Sequence, residues 1–459
     1  MRYPGGGSRR EERAPCGGKG RRRAGGEAGF AGRLPGGMDP DGGGRPLAHR
    51  TMFRYPETGE GTGTHLHGSP GRERMKIALV RYRYSPHGGA ERYLDMLAAG
   101  LQASGAQVRL LSSSWKGGGA ARFPWEELSV PHRPVSVRLW RFARAVRSWA
   151  GTHPDWLLFS LERIPGAEVY RAGDGCHAEW LIRKRVLRPL SWRFDFLRPL
   201  NRSYLSLERG MFRSPSLRAV VANSERGKEE IARHYGVPRA RITVVYNGVD
   251  LSRFPEGRKA EARRILRDRY ALPAGVPVFL HVGSGFARKG VGALVRAAAR
   301  LAGKGCSFRV IVAGKGDPGP YREMAGEARD RVLFTGPIRE PEDHFLGADA
   351  FVFPTVYEPF SNACLEAMAA GIPVVTTRVN GVSELLRDGE SGFLLEDPMD
   401  DAALAGRMEA LFSEETRSRL GREARKAAES LPAERNTRET LQVLARVWKE
   451  RAGEGPERA

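Results

Sequence analysis

Short apolar segments alternate with helical segments along most of this chain, in two successive series. Continuous apolar strands that are separated by helices are typical of parallel sheets covered on both faces. Strands are predicted at 76–82, 107–114, 156–162 and 217–224 in the first series, and at 278–284, 308–316, 331–336, 350–355, 373–379 and 392–396 in the second. The chain is therefore predicted to be an α/β protein with two doubly wound, Rossmann-like domains. Their ligands are expected at the carboxyl ends of the strands.

Length and composition agree with this class of protein. A chain of 459 residues favours two domains over one. The four cysteines are scattered, without a C-x-x-C pair or metal-ligand spacing, which argues against a disulfide framework and a zinc site. No apolar run reaches the roughly 18 residues that a membrane-spanning helix needs, and the N-terminus lacks the apolar core of a signal peptide. We therefore expect a cytoplasmic or peripheral protein.

The formal net charge of +22 indicates a partner that is negatively charged: nucleic acid, an anionic membrane or a phosphorylated substrate. Residues 1–74 carry 14 Lys and Arg against 8 Asp and Glu, and they are rich in Gly, Arg and Pro. Such a segment buries too little apolar surface to fold, so it is predicted to be disordered. It is either a start-site artefact, with translation beginning at Met75 or Met52, or a basic tail that binds membrane or nucleic acid.

The segment EPFSNACLE (358–366) places two carboxylates eight positions apart. Glu358 follows a buried strand that ends at a proline, and Ser361 or Asn362 can cap the helix that carries Glu366. The free N–H groups of that helix end suit a phosphate, and the two carboxylates suit sugar hydroxyls. A solvated helix face is the alternative for such a pair taken by itself.

Two glycine-rich turns follow predicted strands. HVGSGFARKG (281–290) puts Arg288 and Lys289 at the start of a helix, where both cations can reach a pyrophosphate. SPHGGAER (85–92) has Gly88 and Gly89 in the first turn of the first domain, without the G-x-G-x-x-G spacing of a dinucleotide fold. Each turn is alternatively an ordinary connection between a strand and a solvated helix.

Two further features leave more than one interpretation. Asp174 lies between glycines in a compact polar loop (163–180), as an active-site residue or as an Asx-turn residue. Residues 181–218 hold ten Lys and Arg against two acids, interleaved with aromatic and leucine side chains. That composition suits contact with an anionic membrane, and it also suits a helix pair that packs on the domain core. His281 and His344 are either donor contacts or ordinary strand-end or surface histidines.

The stretch around 358–366 resembles the Glu-x7-Glu motif of the retaining glycosyltransferases of family 4, also called glycosyl transferases group 1. The turn at Arg288 and Lys289 resembles the pyrophosphate-binding motif of the same family. The loop with Asp174 resembles the corresponding passage of the lipopolysaccharide core glucosyltransferase I branch, which has an Asp-x-Cys-x-Ala-Glu run there. This likeness spans about residues 75–430.

The resemblance implies the GT-B architecture, in which two Rossmann-like domains face each other across a cleft. After the basic extension at 1–74, it implies an acceptor-binding domain at 75–250, a nucleotide-sugar-binding domain at 251–434, and a last helix at 435–459 that returns to the first domain. It also implies that Glu366 binds the ribose hydroxyls and Glu358 the donor sugar, while Arg288 and Lys289 neutralise the diphosphate.

The other site residues are assigned by the same resemblance. Asp174 is implied to be catalytic together with Glu358. Donor binding is also implied for residues of the first glycine-rich turn and of the capped helix start, namely Gly88, Gly89, Phe360, Ser361, Asn362 and Ala363. No metal and no cofactor beyond the nucleotide-sugar co-substrate is expected, because the cations would take the place of Mg²⁺.

The specific reaction that the resemblance implies is transfer of glucose from UDP-glucose to a heptose of the lipopolysaccharide inner core, on the cytoplasmic face of the inner membrane. The partners would be a nucleotide sugar, a glycolipid acceptor and, through 181–218, the anionic membrane surface, but not nucleic acid. Another donor (UDP-N-acetylglucosamine, UDP-galactose or GDP-mannose) or another glycolipid or exopolysaccharide acceptor is the first alternative. A non-catalytic basic protein that binds membrane or nucleic acid is the second.

Overall fold

The structure is a computed structural model and describes residues 74–84, 89–114, 123–130 and 134–453. The N-terminal extension, predicted to be disordered or a start-site artefact, lies outside these described residues except for residue 74. Gly88 also lies outside it.

Seven parallel strands form the sheet of the first domain. They are β1 Lys76–Val80, β2 Gln107–Ser112, β3 Trp125–Glu127, β4 Leu157–Ser160, β5 Val169–Arg171, β6 Ala219–Ala222 and β7 Ile242–Val244. Their order across the sheet is β3-β2-β1-β4-β5-β6-β7, and all neighbours run parallel. The four predicted strands are confirmed as β1, β2, β4 and β6. The three others have only three residues each, too few for an apolar pattern to stand out.

The helices of the first domain cover both faces of this sheet. They are α1 Gly89–Ala103, α2 Val135–Thr152, α3 His177–Arg183, α4 Pro199–Phe212 and α5 Glu225–Tyr235. Helix α5 shows how the sequence sets their ends. The Ser224 side chain accepts a hydrogen bond from the N–H of Gly227, and Gly236 ends the helix in the left-handed conformation with φ of 67°.

Six parallel strands form the sheet of the second domain, and all six predicted segments are confirmed. They are β8 Val278–Val282, β9 Arg309–Ala313, β10 Val332–Gly336, β11 Ala350–Phe353, β12 Val374–Thr377 and β13 Gly392–Leu395, in the order β10-β9-β8-β11-β12-β13. The helices are α6 Lys259–Arg269, α7 Val291–Gly303, α8 Gly319–Met324, α9 Glu342–Gly347, α10 Asn362–Ala369, α11 Asp401–Ala410 and α12 Glu414–Glu429.

The last helix, α13 (Ala433–Arg451), packs on the first domain although it follows the second in sequence. Val443, Leu444 and Val447 are buried in the same cluster as Leu79 of β1 and Leu97 of α1. A Cβ atom at Gly100 of α1 would lie 2.5 Å from the Thr437 side chain, so the two helices touch closely. A helix that follows the second domain in sequence thus contributes to the core of the first domain.

In each sheet the strand order reverses at one point, between β1 and β4 in the first domain and between β8 and β11 in the second. The crevice outside the carboxyl ends of the strands at such a reversal is where doubly wound sheets bind ligands. Arg288 and Lys289 follow β8, and Glu358 follows β11. The residues of the predicted donor site therefore flank the reversal of the second sheet.

Candidate active site

The turn after β8 is fixed against the loop after β11 by backbone contacts. The carbonyl oxygen of Arg288 accepts hydrogen bonds from the N–H of Val356 at 2.9 Å and from the hydroxyl of Thr355 at 3.0 Å. Gly290 has φ of 79°, and a Cβ atom there would lie 1.8 Å from the carbonyl oxygen of Pro354. Only glycine permits this approach, and the approach sets Arg288 and Lys289 beside Glu358.

Arg288, Lys289 and Glu358 form what we call the charge cluster. The Lys289 ammonium contacts Oε2 of Glu358 directly, and Nη1 of Arg288 lies 3.8 Å from the same oxygen. The side chains of Lys289 and Glu358 are only 11% and 12% exposed. Burial lowers the pKa of Lys289, and the Glu358 carboxylate opposes that effect. The cluster carries two cations and one anion, so its net positive charge suits an anionic ligand.

Glu358 is positioned by its own backbone as well. Its carbonyl oxygen accepts the N–H of Gly381 at 3.0 Å. A Cβ atom at Gly381 would lie 1.9 Å from the carbonyl oxygen of Pro359, so the loops after β11 and β12 meet backbone to backbone. The carboxylate therefore stands on a rigid support, as a binding or catalytic group requires.

Helix α10 begins directly after this loop, and its first residues have distinct surroundings. The Ser361 side chain caps the helix by accepting the N–H of Cys364 at 3.2 Å, and the Ser361 N–H donates to Oδ1 of Asn380. The Phe360 ring is buried against Tyr246. Asn362 is exposed, whereas Ala363 is half-buried. Side-chain contacts with a ligand at this helix start are thus open to Asn362, while Phe360 belongs to the core.

Glu366 lies one turn further along α10 and is held by an arginine that the sequence analysis did not single out. Nη1 of Arg253 lies 3.2 Å from Oε1 of Glu366. The same guanidinium binds Oε1 of Glu342, at 2.5 Å from Nη2 and 2.9 Å from Nε. Arg253 belongs to the short 3-10 turn Leu251–Arg253 between the two domains, which carries none of the motifs described above. Nothing in its local sequence indicates a partner 113 positions away.

Asp174 lies in the first domain, exposed in the turn after β5. This turn reaches the loop of Glu358: a Cβ atom at Gly175 would lie 2.4 Å from the Pro359 side chain. Arg163 supports the turn by donating a hydrogen bond to the carbonyl oxygen of Gly175 at 3.1 Å. The structure thus brings the turn of Asp174 and the loop of Glu358 together from two domains.

Residues of both domains join along what we call the domain seam. The hydroxyl of Tyr357 accepts the N–H of Cys176 at 2.9 Å and donates to Oε2 of Glu230 at 2.8 Å. The Glu384 carboxylate accepts the N–H groups of Glu225 and Arg226 at 2.9 and 2.8 Å, at the start of α5. The seam therefore begins one residue away from Glu358.

The remaining predicted residues are placed as follows. Gly89 is the first residue of α1. His281 and His344 are fully buried. His281 contacts the carbonyl oxygen of Val352 at 2.9 Å, and His344 contacts the hydroxyl of Tyr270 at 2.9 Å. Burial lowers the pKa of each histidine to about 4.

The basic segment 181–218 forms the end of α3, two short 3-10 helices and α4. Three of its apolar side chains face outward, with exposures of 95% for Leu190, 65% for Phe194 and 67% for Leu197. In the part of the chain that the structure describes, no helix is both long and apolar enough to cross a bilayer.

Comparison with known proteins assigns both domains to glycosyltransferase families. Residues 87–253 match the family described as Glycosyltransferase Family 4, and residues 276–414 match the family described as Glycosyl transferases group 1. With two parallel-sheet domains and a charge cluster at the strand reversal, the chain is a glycosyltransferase of the GT-B class.

Among its relatives is the lipopolysaccharide glucosyltransferase WaaG of Escherichia coli, which is 26% identical over 337 residues, covering 72% of this chain and 87% of WaaG. The D-inositol 3-phosphate glycosyltransferase of Streptomyces avermitilis is also 26% identical, over 407 residues that cover 74% of this chain and 84% of that enzyme.

Solved structures share the fold. The crystal structure of WaaG has a TM-score of 0.70 at 24% identity, covering 80% of this chain and 99% of WaaG. Anabaena HepE in complex with UDP-glucose has a TM-score of 0.60 at 19% identity, covering 81% of this chain and all of HepE.

Proposed function

We propose that this glycosyltransferase retains the anomeric configuration and transfers glucose from UDP-glucose to a heptose of the lipopolysaccharide inner core. The observation that supports it most is the charge cluster, which combines two cations and a carboxylate beside the start of α10. The similarity to WaaG, a lipopolysaccharide glucosyltransferase, favours the named donor and acceptor. The complex of HepE with UDP-glucose supports a uridine nucleotide sugar as the donor type.

In this proposal each part of the site has a role that follows from its chemistry. Arg288 and Lys289 bind the diphosphate, whose negative charge grows as its bond to the anomeric carbon breaks. Preorganised charge of this kind is often the largest single contribution to catalysis. Because the two cations neutralise the leaving group, no divalent metal is needed. Glu358 accepts hydrogen bonds from the sugar, and Glu366, held by Arg253, accepts them from the ribose.

The acceptor enters from the first domain. Asp174 is the proposed catalytic group on that side, because its turn abuts the loop of Glu358 and its carboxylate is exposed. In a retaining reaction the acceptor oxygen forms its bond on the face from which the diphosphate leaves. The diphosphate takes both electrons of the broken bond, and the acceptor proton passes to a base or to the leaving group.

A lipid-linked acceptor places the enzyme at the cytoplasmic face of the inner membrane. The outward-facing Leu190, Phe194 and Leu197 lie among the arginines of 181–218, as expected for an interfacial segment on anionic lipids. Phe194→Glu should weaken binding to vesicles with anionic lipids, and added salt should do the same for the unchanged protein. Vesicle binding that responds to neither would contradict a membrane role for this segment.

The second candidate keeps the site and changes the substrates. Relatives named D-inositol 3-phosphate glycosyltransferase match this chain at 26% to 34% identity, and WaaG matches it at 26%. A different nucleotide sugar and a phosphorylated small-molecule acceptor would fit the same charge cluster.

Thermal denaturation of the full chain with a panel of nucleotide sugars separates the candidates. Stabilisation by UDP-glucose that Glu366→Ala abolishes is the expected result. Stabilisation by UDP-N-acetylglucosamine, UDP-galactose or GDP-mannose instead would favour the second candidate. The absence of any response would count against a donor site and in favour of a non-catalytic binding protein.

A further inference from the structure

Arg171 is a buried cation in the first domain, and no carboxylate among the described residues pairs with it. It is the last residue of β5, at the carboxyl edge of the first sheet, and is only 6% exposed. Its guanidinium lies 3.6 Å from the centroid of the Tyr93 ring, and Nη2 donates to Oδ1 of Asn247 at 2.7 Å. Nη1 is buried and makes no hydrogen bond within the described residues.

A buried guanidinium with an unpaired N–H group is energetically unfavourable unless an anion binds to it. A buried charge without a counter-ion loses its hydration, and a buried donor without an acceptor costs free energy as well. The contrast with Arg163, another buried arginine of the same domain, is direct, because Arg163 donates to the Glu208 carboxylate at 2.8 Å. Among the described residues, the Arg171 guanidinium contacts a neutral amide and an aromatic ring, so an anion would supply the missing negative charge.

The neighbours of Arg171 show where such an anion would lie. Nδ2 of Asn247 donates to Oδ1 of Asn362 at 2.7 Å. Asn362 is the first residue of α10, the helix that begins beside the charge cluster. The guanidinium is thus connected through one amide to the start of the helix, where unpaired N–H groups favour a phosphate.

We propose that Arg171 binds a phosphate oxygen of the nucleoside diphosphate from the side of the first domain. This inference rests on the proposed function, since it assigns a further residue to the donor site. The diphosphate would then be held from two domains, by Arg288 and Lys289 on one side and by Arg171 on the other. Donor binding would also supply the counter-ion that Arg171 lacks.

The test is isothermal titration of the full chain with UDP and with uridine, which has no phosphate. Arg171→Gln should weaken UDP binding roughly ten- to hundredfold, the range expected for a hydrogen bond to a charged group, and should leave uridine binding unchanged. Lys289→Ala serves as the reference for loss of a phosphate contact. Asn247→Ala is the matched control, because it removes the hydrogen bond to Arg171 and keeps the charge.

Each outcome has a distinct meaning. If the unchanged protein binds no UDP, the proposed function fails. If Lys289→Ala weakens UDP binding and Arg171→Gln does not, only this inference is wrong. If Arg171→Gln and Asn247→Ala weaken UDP and uridine equally, Arg171 is a structural link between domains and the inference is overturned.

Thermal denaturation without ligand gives an independent readout. A structural arginine should lower the melting temperature when replaced, whereas removal of an uncompensated buried cation should leave it unchanged or raise it. If Arg171→Gln does not fold, Arg171→Lys decides the same question. A lysine keeps the charge without the planar fork, so the ratio of UDP to uridine affinity should fall by several-fold, and an unchanged ratio would overturn the proposal.

Discussion

Replacing Tyr357 by phenylalanine removes one oxygen atom from the domain seam and keeps the buried ring. In the native structure this hydroxyl accepts the N–H of Cys176 and donates to the carboxylate of Glu230. The variant leaves the Cys176 N–H buried without its partner. Glu230 loses one donor but keeps its ion pair with Arg226 at 2.8 Å, so its charge stays compensated.

The magnitude follows from these two losses. A buried donor left unsatisfied costs about 1–3 kcal/mol, and a lost hydrogen bond to a charged group costs about 1.5–3 kcal/mol. The two costs sum to about 2.5–6 kcal/mol, and because Arg226 remains on Glu230 we expect the lower half of that range, about 2.5–4 kcal/mol. With an unfolding entropy of about 2.1 cal/mol/K per residue over the roughly 370 residues of the two domains, the melting temperature should fall by about 3–5 °C, measured by circular dichroism.

Tyr321→Phe is the matched control. The ring of Tyr321 packs edge-on against Phe286 with the centroids 5.6 Å apart, and its hydroxyl makes no hydrogen bond within the described ranges. Its removal should change the free energy of unfolding by less than about 0.5 kcal/mol. Equal melting temperatures for Tyr357→Phe and Tyr321→Phe would refute the argument that the seam depends on this hydroxyl.

Three other predictions concern the site and the buried histidines. Lys289→Ala should lower kcat by roughly a hundredfold or more, as loss of a preorganised charge at a leaving group does; a change below threefold in steady-state kinetics would contradict the role of the charge cluster. Arg253→Ala should raise KM for the nucleotide sugar by about tenfold with a smaller change in kcat, because it releases Glu366; an unchanged KM would show that Glu366 needs no such support. The free energy of unfolding should decrease as the pH falls from about 6.5 to about 4, by up to about 1.4 kcal/mol per pH unit for each histidine. In this range the histidines of the unfolded chain bind protons, whereas native His281 and His344, with pKa values of about 4, stay neutral. Denaturant unfolding at pH 7 and pH 5 should therefore give a smaller difference for His281→Gln than for the unchanged protein, and an equal difference would count against this assignment.

The sequence was most informative where a strand has four or more residues. All six strands of the second sheet reach that length, and all six were predicted. In the first sheet, β5 was not predicted, because Val169–Arg171 has only three residues and ends in a charge. Its identity as a strand comes from pairing with β4 and β6, which only tertiary structure supplies.

Local sequence likewise predicted some residues of the candidate site and missed others. Glu358 and Glu366 lie on one continuous segment, and Arg288 and Lys289 share one turn, so their motifs were readable from local sequence. The contact of Arg253 with Glu366 spans 113 positions, and that of Tyr357 with Glu230 spans 127. Neither has a local signal, because each depends on which elements the two sheets bring together. The assigned roles of the site residues, including Asp174, stay predictions until the variants are measured.

The glycine at position 290 has a consequence for how this enzyme can change over evolution. Its close approach to Pro354 leaves no room for a side chain, so the turn of Arg288 and Lys289 and the loop of Glu358 can only be inherited as one block. Selection for a new sugar cannot shift the cations independently of the carboxylate. New donor preferences in descendants of this chain would therefore arise from residues around the block, while the spacing between the two cations and the carboxylate stays the same.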